Sequence, residues 1–428
     1  MSPTFRSLAN PNYRRYALGS LVSNTGTWMQ RIAQDWMVLA LGGAGTGLGI
    51  TTGLQFLPVL LLSPYAGVVA DRFAKRRLLQ VTQGTMMLSA LALGLLAVTG
   101  QAQLWHVYVL ALVLGAGSAF DAPARQSFVS EMVGPDDLTN AVGLNSASFN
   151  AARLVGPALA GLLIGAFGGG VEATGYVVLL NAASFLAVIG QLQRMDVARL
   201  HSPRPVARRP GALREGVAYV RSQPRMVMVL VIVFFAGTFG MNFQITSALM
   251  ATEVFGKGAG EFGLLGSALA VGSLTGALLA ARRVRVRLRL LVLAALAFGV
   301  AELVAAAAPS YWTFMAVSPF IGLFTLTLLN SANATMQLSA APELRGRVMA
   351  LYMTIVMGGT PLGAPLIGWV GEHLGARWTL VAGGALTIAG ALLAAAVYAR
   401  LTGGRDHLVE VLRAERAQRH PAGAARAF

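Results

Sequence analysis

The chain has no cysteine, which excludes disulfides and thiolate metal sites. Its five histidines, His106, His201, His373, His407 and His420, are too far apart to form a local ligand motif, so no metal or cofactor is expected. Charge is scarce as well: 12% of the 428 residues are Asp, Glu, Lys or Arg, against 55% hydrophobic. A soluble domain of this length needs far more charge to cover its surface, so lipid is the solvent for most of the chain. No alternating strand pattern appears, which excludes a membrane β-barrel, and no Walker-type phosphate loop is present. Nucleophiles, acids and bases are not clustered near an interface, and an enzyme is not expected. No small-residue cleavage pattern follows Arg14 and Arg15, so the first hydrophobic stretch reads as a retained helix rather than a leader.

Long apolar stretches recur from end to end. A helix crosses a hydrocarbon core of roughly 30 Å with about 20 residues, and twelve stretches qualify: 14–41, 47–70, 78–99, 104–126, 140–167, 174–194, 226–252, 262–281, 288–308, 311–338, 346–371 and 377–400. The expected fold is therefore an all-α integral membrane protein of twelve transmembrane helices in two pseudo-symmetric six-helix bundles. Residues 1–194 form the first bundle, 195–225 a linker, 226–401 the second bundle and 402–428 a basic tail.

The net charge of +16 is explained by position. Arg6, Arg14 and Arg15, then Arg72, Lys75, Arg76 and Arg77, the run from Arg194 to Arg225, Arg282 to Arg289, Arg345, Arg347 and the tail arginines all fall on one side. The other side keeps only Lys257 and Arg377. By the positive-inside rule both termini are cytoplasmic, and the expected location is the bacterial inner membrane. Anionic lipid headgroups, not nucleic acid, are the partners of this charge.

Near the middle, HSPRPVARRPG is polar and rich in Pro and Arg. Leu213, Val217 and Val220 follow at helical spacing among Arg214, Glu215 and Arg221, which predicts a short interfacial helix after a linker. The halves on either side echo each other. GVVADRFAKRRLL begins at Gly67 and GALLAARRVRVRLRLL at Gly276; VGPALAGLLIG lies in the fifth span and LGAPLIGWVG in the eleventh. Duplicated halves that rock against each other are how secondary transporters alternate access to a central site.

The run Gly67-Val-Val-Ala-Asp71-Arg72-Phe-Ala74-Lys75-Arg76-Arg77 resembles the loop between helices two and three of the major facilitator superfamily. Ala74 stands where that family usually has glycine, and Lys75 where it usually has arginine. Arg153-Leu-Val-Gly156-Pro157-Ala-Leu-Ala-Gly161 resembles the Gly-Pro motif of its antiporter branches, although the fourth span lacks the arginine that many drug/proton antiporters carry near its start. More narrowly, NTGTWMQRIAQDWMVL, FDAPARQSFVSEMV and LREGVAYVRSQP are similar to the branch containing the enterobactin exporter and related efflux permeases. The resemblance spans nearly the whole chain. It implies a secondary active transporter that exports a siderophore-like or drug-like molecule, with protons as coupling ion. Import or facilitated diffusion by the same fold is the alternative; a receptor or scaffold would need a soluble domain that these short loops do not supply. A monomer is expected.

Asn24, Trp28, Arg31 and Asp35 fall at i, i+4, i+7 and i+11, a polar stripe on one face of the first helix. An unpaired charge at the midplane costs about 2.5 to 3.5 kcal/mol on insertion scales, so the stripe must face protein or water. Asp35 is the candidate proton and substrate site. Removal from water opposes its charge and Arg31 favours it, so cargo can tip the balance; a permanent ion pair is the structural alternative. Arg153 shares a face with Ser146, Asn150 and Pro157, and two buried arginines in one cavity suit a catecholate or carboxylate. Pairing of Arg153 with Asp35 is the alternative.

Asn330, Asn333 and Gln337 on the tenth span, with Asn242 and Thr246 on the seventh, form further polar stripes that serve either cargo or helix packing. Resemblance implies that helices one, four, seven and ten line the cavity. Gly67, Asp71, Arg72, Lys75 and Arg76, joined by Asp121 and Arg125, are read as a cytoplasmic gate, with Asp71 meeting the eleventh helix in one state only. For Arg76, topology alone is the favoured explanation. Gly156, Pro157 and Gly161 permit close helix approach and a kink. Glu302 is read as structural, near the outer end of the ninth span.

Overall fold

The computed structural model describes residues 3–201, 212–282 and 288–402. The first half contains six long helices, Pro11–Ala40, Ala44–Arg72, Lys75–Val98, Leu104–Met132, Pro135–Ala166 and Val171–Gln193. The second half contains spans seven to twelve, Pro224–Val254, Ala259–Ala281, Leu288–Ala306, Tyr311–Ser339, Arg345–Leu374 and Ala376–Leu401. No strand occurs among the described residues. Eleven of the twelve are both long and apolar enough to cross a membrane. The exception is the first, whose 30 residues carry the polar stripe; at 1.5 Å per residue it is about 45 Å long. It is packed between the fifth and sixth spans, so its polar face is turned into protein.

The helix ends follow local chemistry. Asn10 caps the first span by accepting from the backbone of Asn12 at 2.9 Å and Tyr13 at 3.2 Å, with Pro11 in the first turn. Pro135 opens the fifth span, and Asp136 and Asp137 in its first turn complement the helix dipole. Gly375, at φ +103°, makes the turn between the last two spans, a conformation that L side chains rarely adopt. Predicted ends agree to within a few residues, the largest difference being six extra residues at the end of the fourth span.

Two spans predicted as single helices are interrupted. The seventh runs as α-helix from Pro224 to Phe235, widens to a π-turn over Ala236–Gly240, breaks at Met241 and resumes over Phe243–Leu249. Gly237 and Gly240 lower the cost of this distortion, and the Asn242 amide donates to the freed carbonyls of Thr238 at 2.8 Å and Phe239 at 3.2 Å. The eleventh is divided at Gly359, followed by Pro361, which has no backbone donor.

Packing obeys the internal repeat. Spans one and six, two and four, three and four, and three and six pack together, as do seven and twelve, eight and ten, nine and ten, and nine and twelve. Across the halves, span two packs on eleven and span five on eight, again as equivalent pairs. The short helix Ala212–Arg221 joins the second half: Glu215 pairs with Arg347, and the Tyr219 hydroxyl accepts from the Ala341 backbone at 3.2 Å. The linker stretch at 202–211, the loop at 283–287 and the tail at 403–428 lie outside the described residues.

The halves meet at the face opposite the one that carries the N-terminal segment. There Gly45 lies against the Gly368 carbonyl, Gly49 against that of Ala364, Gly161 against that of Ala259, and Gly263 against that of Pro157. An added Cβ at each would come within 2.3–2.5 Å of the named oxygen. Glu372 on span eleven accepts from the Thr46 backbone at 2.9 Å, capping span two from the other half. At the terminal face, among the described residues, no hydrogen bond or ion pair joins the halves. Among the described residues the close backbone contacts between the halves thus seal the face opposite the N-terminal segment.

Candidate functional site

The first and fifth spans bring two half-buried cations to one aromatic ring. The Arg31 guanidinium carbon sits 4.7 Å from the Trp28 ring centroid and 5.7 Å from that of Phe56, and the Arg153 guanidinium carbon sits 5.9 Å from Trp28. These are cation–π distances, and in a desolvated site each contact is worth about 2 kcal/mol. Gly156 makes the convergence possible. A Cβ there would fall 2.6 Å from that of Trp28, so only glycine lets span five approach span one at this level. Phe149 closes the ring edge-on at 5.8 Å and is exposed on the same face as Ser146 and Arg153.

Arg153 also crosses to the second half, donating to the Ser273 hydroxyl of span eight at 2.5 Å. One helical turn further toward the sealed face, Asp35 is buried, at 6% exposure. Among the described residues it forms no ion pair with Arg31 or Arg153, and the Arg31 Nε has no hydrogen-bond partner. Buried arginine donors without acceptors are costly to maintain. The arrangement therefore places two guanidiniums against one aromatic ring, with a carboxyl group one turn away that, among the described residues, forms no ion pair with either.

The other predicted residues divide. Asn150 is half-buried on the Arg153 face, its amide donating to the Ser146 carbonyl at 2.8 Å so that its oxygen is free. Asn330 and Asn333 are half-buried on span ten, where Gln337 donates to Asn333 at 2.5 Å. Asn242 is 4% exposed and turned into the break of its own span. Asn24 lies on the predicted stripe but accepts from Arg125 at 3.2 Å.

The predicted gate residues are held within the first half. Asp121, 5% exposed, accepts from Arg125 at 2.7 Å, Gln83 at 2.7 Å and Thr82 at 3.0 Å. Lys75 pairs with Glu131 at 2.5 Å, and Arg76 caps span six by donating to the Leu192 carbonyl at 2.6 Å and that of Gln193 at 3.0 Å. Arg72 is exposed and Gly67 half-buried. Asp71 is in the last turn of span two; its side chain lies outside the described residues.

In the Gly-Pro motif, span five continues as one helix through Pro157, and Gly161 forms the seam with span eight. Ser267 donates across that seam to the Leu154 carbonyl beside the proline, at 2.6 Å. Ser273, Ser267, Phe56 and Glu372 escaped the sequence reading. Gly45, Gly49 and Gly53, at i, i+4 and i+8, were the available sign that span two carries a smooth face for another helix.

The profile of a family described as transmembrane secretion effectors matches residues 2–410. The chain is 28% identical to the multidrug efflux pump Tap of Mycolicibacterium fortuitum over 374 residues, covering 85% of this chain and 90% of that one. It is 32% identical to the staphyloferrin A transporter of Staphylococcus aureus over 143 residues, 33% of this chain and 36% of that one. In fold it is similar to a bacterial homologue of the human lysosomal transporter Spinster solved in an inward-facing, unoccupied conformation. The TM-score is 0.68 at 14% identity, covering 93% of this chain and 97% of that one. A matched profile over almost the whole length, together with twelve spans in two equivalent halves, makes this chain a multi-pass membrane transporter rather than an enzyme, and it belongs to the transmembrane secretion effector family of the major facilitator superfamily.

Proposed function

We propose that the chain exports a small organic anion with aromatic character, siderophore-like or drug-like, across the bacterial inner membrane in exchange for protons. The observation that carries this reading is the pair of guanidiniums, Arg31 and Arg153, beside the Trp28 ring. A catecholate or aromatic carboxylate supplies the missing acceptors and stacks on the indole, whereas a lipophilic cation is repelled. The multidrug efflux pump and the staphyloferrin A transporter among its relatives support the export of a small organic molecule. With the arginine-rich face placed in the cytoplasm, both termini are cytoplasmic and the sealed face is the outer one.

Alternating access follows from the seam. The glycine contacts of spans two, five, eight and eleven seal the outer face here, and Asp71 with its neighbours seals the inner face in the opposite state, when its carboxylate reaches the end of span eleven. Asp35 carries the proton in the cargo-free return step, and exchange requires that cargo and proton use the one site in different half-cycles.

Inside-out vesicles holding a pH gradient test this directly. Catecholates and aromatic carboxylates are expected to collapse the gradient with wild type and not with Asp35→Asn, while lipophilic cations do neither. Cargo binding without proton movement would replace the antiporter with a uniporter.

A further inference from the structure

A second carboxyl group, in the other half of the molecule, is buried without any partner. Glu302 of span nine is 1% exposed, and its Oε2 has no hydrogen-bond donor. It lies against the glycine face of span twelve, where a Cβ on Gly383 would be 3.0 Å from Oε2 and equally 3.0 Å from the carbonyl oxygen of Phe239. That carbonyl belongs to the π-turn that interrupts span seven. Gly240, in the same turn, lies against Phe298 of span nine and the Thr387 hydroxyl of span twelve, which is fully buried and also unpartnered.

No charged group compensates it. Span nine packs against spans seven, ten and twelve. Their ionisable side chains are Arg225 and Glu253 near the ends of span seven, Tyr311 on span ten, and Arg377, Tyr398 and Arg400 on span twelve; Arg289 is about 20 Å away along span nine itself. Among the described residues none pairs with Glu302. Arg377 donates instead to the Ala306 carbonyl, one turn nearer the sealed face, and Tyr311 donates to that of Glu261 at 3.0 Å. A carboxylate in such a dry pocket, with neither cation nor donor, is not sustainable, whereas the neutral acid is.

The segment of span seven beyond the break, Phe243–Leu249, packs on spans one and two of the first half. The π-turn on its near side is clamped by span eleven, where added Cβ atoms on Gly359 and Gly363 would strike Thr238. Glu302 therefore sits directly behind the π-turn of span seven, whose continuation packs on the first half. We propose that Glu302 is a second proton-binding site, separate from Asp35, whose occupancy holds the span-seven break in the form that seals the outer face. A proton taken up while that face is open closes it; loss of the proton requires water or a donor at the carboxylate, which this packing admits only if the break rearranges. The inference rests on the transporter reading but not on Asp35 or on any cargo.

The absence of native cysteine allows a clean test. Ser146→Cys, exposed on the Arg153 face of span five, reports inward opening by its rate of thiol labelling, corrected for the intrinsic pH dependence of a model thiol. In the otherwise intact protein labelling should be faster at low pH, with up to about tenfold change per pH unit across the transition. Glu302→Gln, which has the shape of the neutral acid, should label at the low-pH rate throughout, and Glu302→Asp should restore a transition with a displaced midpoint. Labelling is read without cargo and export with it, so a parent that labels with the expected transition but does not export protons for cargo removes the antiporter reading and leaves this proposal standing. A Glu302→Gln protein that keeps the parent transition, or a parent with no transition at all, overturns the proposal.

Discussion

Replacing Gly49 by alanine should tip the molecule out of the conformation seen here. A Cβ at this position falls 2.4 Å from the Ala364 carbonyl oxygen and 2.8 Å from the Pro365 Cα, whereas ordinary contact begins at 3.4 Å. Spans two and eleven must separate by about 1 Å, and neither obstacle is a flexible side chain. Overpacking of this kind costs about 1 to 3 kcal/mol, and the cost is confined to the state in which the outer face is sealed, since opening that face parts the two helices. The ratio of inward-open to outward-open molecules should fall by about 5- to 150-fold. The assay is thiol labelling of Ser146→Cys, which should slow by up to that factor, with Gly84→Ala as control because a Cβ there meets nothing within 4 Å. A Gly49→Ala protein that remains folded and labels at the parent rate would refute the claim that this seam decides the conformation.

Removing the Glu372 cap by Glu372→Ala should weaken the same seal by about 1 kcal/mol, the usual worth of an N-cap, and slow the same labelling by several-fold. Arg153→Ala should lower the affinity for an aromatic carboxylate by at least tenfold in equilibrium binding, given the loss of a charge-assisted contact of about 1.5 to 3 kcal/mol, while Arg153→Lys recovers only part because it cannot bind in a fork. Asp121→Asn should behave as a stability mutant: it leaves the half-buried Arg125 without its counter-charge, a loss of about 3 kcal/mol, visible as a lower melting temperature in detergent. Asp71→Asn should instead leave melting unchanged and accelerate labelling of the inward cavity, and unchanged labelling and transport would remove Asp71 from the gate.

The fate of Asp121 shows what sequence reasoning can resolve. With Asp71 it is an acid near a basic cluster, and the sequence groups the two as a gate. The structure draws Asp121 inward, because span three presents Thr82 and Gln83 at its level and Arg125 lies one turn along its own helix. Asn24 was lost from the candidate site in the same way: its position on the stripe is correct, but a guanidinium from span four reaches it. Helical periodicity tells which residues share a face, and it is silent on which neighbouring helix that face meets.

Hydropathy by itself determined the all-helical membrane architecture and the ends of its spans to within a few residues, and the positive-inside charge pattern set the expected sidedness. Each of these depends on the partition of residues between lipid and water, which is a property of local composition. The stripe of Trp28, Arg31 and Asp35, and the placement of Arg153 at comparable depth, were legible for the same reason: a charge in a hydrophobic run is conspicuous. Only the tertiary structure decided that both arginines share Trp28, that Ser273 and Glu372 reach across the halves, that span seven breaks at Asn242, and that Glu302 stands unpartnered behind that break. Those facts depend on contacts between helices remote in sequence, where the approach of two backbones over glycine, within a few ångströms, selects which polar groups find partners and which are left without one.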